Sequence, residues 1–324
     1  MKVGFAGPFS VRLADRVRRH LNVECEMILA EESGVVGLLP EVDVLVTLGF
    51  TREMGAAAAR LKLVQVPGAG LDRIDRSALP AGTALANAYN HEVGIAEYVM
   101  GAMLALSRDL CRLDAALRRG RWESPWVPGA EPPPTWPELA GKTLGILGYG
   151  RIGQELARRA RAFDMTIWAM RQRVTREDAH GLAFLGGPEA LDEILKRADY
   201  LAITLPLTEA TRGLLGGREL GLMKPTAVLV NVARALIVDE DALYRALRQG
   251  TIAGAALDVW YRYPTNGEPA FPSRHPFHEL PNVIVTPHNS GWTQGMVRRR
   301  WDEIADNIGR CVRGEKLINL VATS

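Results

Sequence analysis

The feature that most constrains this chain is the string Gly141-Lys-Thr-Leu-Gly-Ile-Leu-Gly148-Tyr-Gly150-Arg-Ile-Gly153-Gln. An apolar run leads into three spaced glycines and then into an amphipathic segment. Each glycine has a physical reading. Gly148 permits a tight turn, Gly150 lets the backbone approach a pyrophosphate, and Gly153 lets helix and strand pack closely. A helix that opens there points unsatisfied N–H groups and its positive dipole end at the phosphates. The strand–turn–helix context separates this string from a merely glycine-rich turn. It implies an α/β fold that holds a dinucleotide at Gly148, Gly150, Arg151, Ile152 and Gly153.

At 324 residues the chain exceeds what one core usually fills, so two domains are expected. Short apolar runs alternate with helical periodicity, the pattern of parallel-sheet α/β proteins. Strands are expected near Val3–Ala6, Val23–Ile28, Val42–Leu48, Leu63–Val66 and Thr83–Ala86. A second series is expected at Thr143–Leu147, Thr166–Ala169, Tyr200–Thr204, Ala227–Val230, Ala253–Asp258 and Val283–Thr286. Helices are expected at Ser10–His20, Arg52–Arg60, Arg151–Phe163, Pro188–Lys196 and Glu240–Arg248, with a last helix from Met296 to Arg313 and a short return strand. Ile95, Val99, Met103, Leu106 and Leu110 recur at helical steps, so His91 to Arg119 reads as one long helix. Residues 122–137 break every pattern, because six prolines and three tryptophans in sixteen residues suit neither helix nor ladder strand. They read as an extended surface loop or as an arm packed on a partner subunit, since exposed tryptophan is costly.

A formal net charge of +2 offers nothing global to nucleic acid or to an anionic membrane. The basic runs Arg118-Arg119-Gly120-Arg121 and Arg298-Arg299-Arg300 read as solvated helix faces, with an anion site as the alternative. Cys25, Cys111 and Cys311 lie far apart without metal-ligand spacing, so neither a zinc site nor a disulfide framework is expected. The first residues, Met-Lys-Val-Gly-Phe-Ala-Gly-Pro-Phe, read as a strand and turn rather than a signal peptide. No apolar run is long enough to span a bilayer. A cytoplasmic protein is the expectation.

In dinucleotide folds the end of the second strand normally carries an acid for the ribose hydroxyls. Here that position falls in Trp168-Ala-Met-Arg171-Gln-Arg173, which has no carboxylate. Arg171 and Arg173 read as a site for the 2′-phosphate of NADP(H), with an exposed arginine pair as the alternative. NADP(H) is thus expected to be preferred, with NAD(H) possible.

Three further stretches carry a family signal: Val66-Pro-Gly68-Ala-Gly70-Leu-Asp-Arg-Ile-Asp75; Asn231-Val-Ala-Arg234-Ala-Leu-Ile-Val-Asp239, continuing to Gly254-Ala-Ala-Leu-Asp258-Val; and Asn282-Val-Ile-Val-Thr-Pro287-His288-Asn-Ser-Gly291. With the glycine turn and Leu205-Pro-Leu-Thr208, they closely resemble the D-isomer-specific 2-hydroxyacid dehydrogenases, in order and through nearly the whole chain. Alone, Arg234 reads equally as a cap or ion pair, and His288 as a satisfied loop histidine. The resemblance gives them roles. Arg234 clamps the substrate carboxylate and polarises its ketone, His288 exchanges the hydroxyl proton, and backbone N–H groups of Gly68, Ala69 and Gly70 hold the carboxylate. It also implies cofactor contacts at Leu205, Pro206, Thr211, Val232, Ala233, Asp258, His288 and Gly291, with Asp258 on the nicotinamide carboxamide.

The third catalytic member departs from the family. Ordinary members carry a glutamate followed by proline five residues beyond the aspartate, where this chain has Tyr263-Pro264. A Glu268-Pro269 pair comes five residues late, so either Tyr263 stands beside His288 or an insertion carries Glu268 there. Tyr263 is the preferred reading, and it would orient the ring without a full counter-charge. The Asp258-Val-Trp260 run and the proline after Tyr263 are similar to formate dehydrogenases. Ala235 replaces the usual glycine after the catalytic arginine. His91 reads as an N-terminal helix histidine, or as a group that reads the substrate.

The fold expected from all this is α/β, with two doubly wound parallel-sheet domains. Residues 91–289 form a Rossmann cofactor domain; residues 1–90 with 290–324 form a flavodoxin-like substrate domain, with the substrate in the cleft between them. The resemblance implies a homodimer, no metal, and hydride transfer between NADP(H) or NAD(H) and a small D-2-hydroxy or 2-keto acid. The alternatives are oxidation of formate or a similar small anion, and a nucleotide-sensing, corepressor-like binding protein.

Overall fold

The structure, a computed structural model, describes residues 1–31, 34–129, 134–174, 180–264 and 268–323. In chain order the elements begin with β1 (Lys2–Ala6), α1 (Gly7–His20), β2 (Glu26–Ala30), β3 (Val44–Val46), α2 (Arg52–Ala57), β4 (Leu63–Gln65) and β5 (Ala84–Ala86). They continue with α3 (Glu92–Ser107), α4 (Leu110–Leu117), β6 (Thr143–Leu147), α5 (Arg151–Arg161), β7 (Thr166–Met170) and β8 (Phe184–Gly186). Then come α6 (Leu191–Arg197), β9 (Tyr200–Ile203), α7 (Gly217–Leu222), β10 (Val228–Asn231), α8 (Glu240–Gln249), β11 (Gly254–Leu257) and β12 (Val283–Val285). Last are α9 (Gln294–Arg313) and β13 (Leu320–Thr323). The chain divides into two compact units, Met1–Asn90 with Thr293–Ser324, and His91–Trp292.

In the first unit the strands run in the order β2-β1-β3-β4-β5-β13. The first five are parallel in the flavodoxin-like order, and β13 adds antiparallel to β5. Alternation sorts the side chains: Val44 and Val46 join one core with Phe5, Trp301 and Ile304, while Leu45 joins another with Leu39 and Phe50. Pro8 in the first turn of α1 gives up an N–H that has no helical partner anyway. The Thr293 hydroxyl caps α9 by accepting from Met296 N at 3.1 Å, and Gly314 ends that helix at φ +68°. Buried Asn307 donates to Gln65 Oε1 at 2.8 Å and to Ile318 O at 2.9 Å, tying α9 to β4 and to the tail.

In the second unit seven parallel strands run β12-β11-β10-β9-β6-β7-β8. Counted within the unit this is the Rossmann order 3-2-1-4-5-6 with one strand added, and the topological switch falls between β6 and β9. Both sheet faces are covered, which explains the nearly continuous apolar strands. Leu144, Ile146, Ala202 and Val230 pack with Val99 and Leu156 of α3 and α5. Leu201, Ile203 and Leu229 pack on the other face with Ile194 and Leu243 of α6 and α8.

The structure corrects several expectations about elements. His91 to Arg119 is two helices rather than one, because Asp109 takes a left-handed conformation (φ +52°) that an aspartate tolerates and a helix does not. Strand β2 begins three residues later than expected. The segment Pro188–Ala190 is a 3₁₀ turn leading into α6. Strand β8 and helix α7 were not foreseen: the first has three residues, and the second opens on glycines whose helix signal is weak. In the proline- and tryptophan-rich segment, residues 130–133 lie outside the described residues. The remainder forms no helix or strand, and Trp122 and Trp126 are 62% and 88% exposed. All three cysteines are free thiols. Among the described residues no helix is long and apolar enough to cross a membrane.

Trp301 is the largest fully buried side chain of the first unit. Trp301→Ala should therefore cost about 3–5 kcal/mol by denaturant unfolding. A loss below about 1 kcal/mol would show that α9 does not anchor this core.

Candidate active site

The glycine turn lies at the topological switch, where ligands of open α/β sheets bind. Gly148 has φ +107°, and a Cβ there would come within 2.8 Å of Leu205 N. A Cβ on Gly153 would lie 2.7 Å from Gly148 O, so the close approach of α5 to β6 requires glycine. At Gly150 a Cβ would meet nothing within 4 Å, which leaves the helix mouth open on that side. This cradle fits a dinucleotide pyrophosphate. Thr204, at the end of β9, donates its hydroxyl to Gly148 O at 2.7 Å and braces the turn. Sequence reasoning gave Thr204 no role.

Parallel strands end on one edge, and the candidate residues emerge there from neighbouring strands. Arg234 follows β10, Asp258 follows β11 and His288 follows β12, and these three strands are hydrogen-bonded side by side. With neighbouring strands about 4.8 Å apart, the backbones carrying Arg234 and His288 leave the sheet roughly 10 Å apart. Arg234 is half-buried and donates from Nη1 to Ala233 O at 2.8 Å. Its turn is built by buried Asn231, which accepts from Ala233 N and donates to Arg234 O, both at 3.0 Å. Ala235 does not take a positive φ, so its backbone has no need of glycine.

His288 is exposed and has a left-handed backbone (φ +57°), a strained state that its surroundings must hold. Its Nδ1 lies 2.8 Å from Tyr263 Oη. Tyr263 Oη also accepts from Trp260 N at 3.3 Å. The tyrosine is half exposed, so this pair sits at the surface of its unit. Glu268 is also exposed.

Asp258 is fully buried, and its carboxylate faces the turn that carries His288. Oδ1 accepts from the Thr286 hydroxyl at 2.6 Å and from Asn289 N at 3.0 Å; Oδ2 accepts from Ser290 N at 2.9 Å. A carboxylate offers about four lone-pair sites, so these three bonds leave one for a carboxamide. Thr286 and its neighbour Tyr98, with Oη 2.7 Å from the Thr286 hydroxyl, were likewise given no role by sequence reasoning.

The remaining residues divide between the units. Arg171 and Arg173 follow β7, the first half-buried and the second exposed, and no carboxylate occurs from Met170 to Val174. Leu205 and Pro206 follow β9, and Val232 and Ala233 follow β10 as buried residues. The Thr211 hydroxyl closes its own turn by donating to Pro206 O at 2.7 Å. Gly291 packs against the start of α3, where a Cβ would lie 3.2 Å from His91 Cβ. His91 directly precedes α3. In the first unit, Gly68, Ala69 and Gly70 follow β4; Asn87 Nδ2 donates to Ala69 O at 3.0 Å and Ala88 N donates to Gly68 O at 3.1 Å. Neither glycine of this turn has a positive φ. Among the described residues no group of acids, histidines or cysteines could hold a metal ion.

The sequence profile described as "D-isomer specific 2-hydroxyacid dehydrogenase, NAD binding domain" matches residues 100–290. A D-3-phosphoglycerate dehydrogenase of Methanocaldococcus jannaschii is 37% identical over 87% of this chain, which spans only 52% of that longer protein. A hydroxypyruvate reductase of Thermotoga maritima is 34% identical over 86% of this chain and 87% of its own length. An acyclic imino acid reductase solved in complex with NADPH and D-Arg superimposes with a TM-score of 0.83 at 25% identity, covering 99% of this chain and 100% of that one. With the glycine cradle at the sheet switch and the profile matched across the second unit, the chain belongs to the D-isomer specific 2-hydroxyacid dehydrogenase family.

Proposed function

We propose that this protein interconverts a small 2-keto acid and its D-2-hydroxy acid, using NADP(H) in preference to NAD(H), as a homodimer in the cytoplasm. The observation that carries this reading is the His288–Tyr263 pair on the strand edge that also bears Arg234. The bound dinucleotide supplies or accepts the hydride. Arg234 presents a planar cation to the carboxylate and the ketone oxygen. The backbone N–H groups of Gly68, Ala69 and Gly70 act as carboxylate donors. His288 exchanges the hydroxyl proton at Nε2, because Nδ1 is engaged by Tyr263.

Tyr263 differs from a glutamate in what it offers that ring. Its oxygen can accept from Nδ1–H, and its own proton can be donated to a bare Nδ1. A carboxylate only accepts, and it adds a charge. Tyr263 therefore orients His288 in either protonation state without favouring the cation electrostatically. A one-centre anion such as formate is the second reading; it rests on the Asp258-Val-Trp260 run and on this neutral partner. NADP(H) preference draws on Arg171 and Arg173 at the end of β7, and on the NADPH of the imino acid reductase.

Initial rates with a panel of 2-keto acids, 2-hydroxy acids and formate test the reading directly. Turnover of a keto acid is expected, whereas dinucleotide binding without turnover of any member would favour a sensing protein. Arg234→Ala should lose on the order of 10²-fold in kcat/KM, with little change in dinucleotide affinity. Near-normal turnover in that variant would remove Arg234 from the site.

Arg171→Asp should shift the ratio of kcat/KM values from NADPH toward NADH. Equal use of both cofactors by the parent protein, unchanged in the variant, would sink the 2′-phosphate assignment.

Tyr263→Phe should lower kcat by about 3- to 10-fold through one lost hydrogen bond, in a folded protein. Glu268→Gln should leave the pH profile of reduction where it is. A shifted profile in Glu268→Gln, with Tyr263→Phe matching the parent, would transfer the partner's role to Glu268.

A further inference from the structure

We propose that Tyr98 is a positioning residue for His288, acting through Thr286 and the buried Asp258 carboxylate. The three form one hydrogen-bonded strap across the second unit. Tyr98 Oη lies 2.7 Å from Thr286 Oγ1, and Thr286 Oγ1 lies 2.6 Å from Asp258 Oδ1. The directions are forced. Thr286 has a single hydroxyl proton and donates it to Asp258, so Tyr98 must donate to Thr286. Burial, with the charge of Asp258 adding to it, pushes the Tyr98 phenol up, which keeps it protonated and a donor.

The strap brackets His288. Thr286 lies two residues before it; Asn289 and Ser290, whose amides bind the same carboxylate, follow directly after it. The backbone of Thr286 is held as well: its N–H donates to Leu257 O at 3.0 Å, and its carbonyl accepts from Trp260 Nε1 at 2.8 Å. Bonds on both sides of His288 thus converge on Asp258, and this holds the strained left-handed backbone at His288 in place. Leaving that carboxylate short of a donor would be costly in a buried site, so its donors move together. Tyr98 sets the outer end of the strap from α3, a helix anchored by Val99 and Met103 in the core of the second unit. The carboxamide role implied for Asp258 is compatible with this, since one lone pair on Oδ2 is not used by the strap.

The proposal rests on the reading of His288 as the proton-exchanging residue only for its kinetic consequence. It is tested in protein labelled with ¹⁵N-histidine, where the His288 ring signals are identified by their loss in His288→Gln. Tyr98→Phe should displace the His288 signals while leaving the signals distant from the turn in place, and lower kcat about 3- to 10-fold at unchanged dinucleotide affinity. Thr286→Val should displace the same signals further, and Thr286→Ser, which keeps the hydroxyl, should restore the parent spectrum. His288 signals in Tyr98→Phe that superimpose on the parent's would overturn the proposal. If Tyr98→Phe does not fold, the contrast between Thr286→Val and Thr286→Ser decides by the same criterion. A parent protein that turns over no acid would refute the dehydrogenase reading, and the spectra would still judge the strap.

Discussion

Parallel strands must be joined by crossovers that return the chain to the same end of the sheet, so every strand of such a sheet finishes on one edge. In the second unit that rule collects the ends of β6, β7, β9, β10, β11 and β12 on a single rim. The glycine turn, the arginines after β7, Arg234, Asp258 and His288 all stand on it, although more than a hundred residues separate the first from the last. The nearly continuous apolar strands at the centre of the sheet are the condition for this placement. They bury both faces, so a one-residue slip would carry a polar rim residue into a core.

On that rim the polar groups divide into those that face outward and those that hold them. Arg234 and His288 have turns built by buried side chains, Asn231 for the first and Asp258 for the second. Each of these uses two or more hydrogen bonds to shape a few residues of backbone. A buried carboxylate is costly unless several donors meet it, and the same several donors are what make it an effective clamp. The exposed ring of His288 then needs only one further contact, at Nδ1, to set its plane, and Tyr263 Oη lies within hydrogen-bond distance there.

Much of this was legible beforehand because it depends on local chemistry. Gly148 and Gly153 could be read from their spacing, since no other side chain fits those turns. Strand positions followed from continuous apolar runs, and β6 falls where the pattern placed it. The failures are just as local in origin. Asp109 breaks a helix that its neighbours' periodicity supports, because a single left-handed residue leaves no trace in a hydrophobic pattern. Strand β8 is too short for alternation to register, and α7 begins on glycines. Thr204, Asn231, Thr286 and Tyr98 carry no motif of their own: a threonine or tyrosine becomes a brace only through the partner it meets.

The amino-acid sequence by itself determined the α/β class, the dinucleotide turn and the order of the family's motifs, because these depend on backbone freedom and on periodicities of a few residues. Only the tertiary structure decided which groups meet. The carboxylate of Asp258 could be counted in the sequence, but its turning inward to the His288 loop depends on β11 and β12 lying side by side. The Tyr98–Thr286 contact joins residues 188 positions apart, and it exists because α3 packs on the sheet face beside β10, β11 and β12. Hydrogen bonds of this kind have short range and strict direction, so they are fixed by where folded elements come to rest and are invisible to any spacing along the chain.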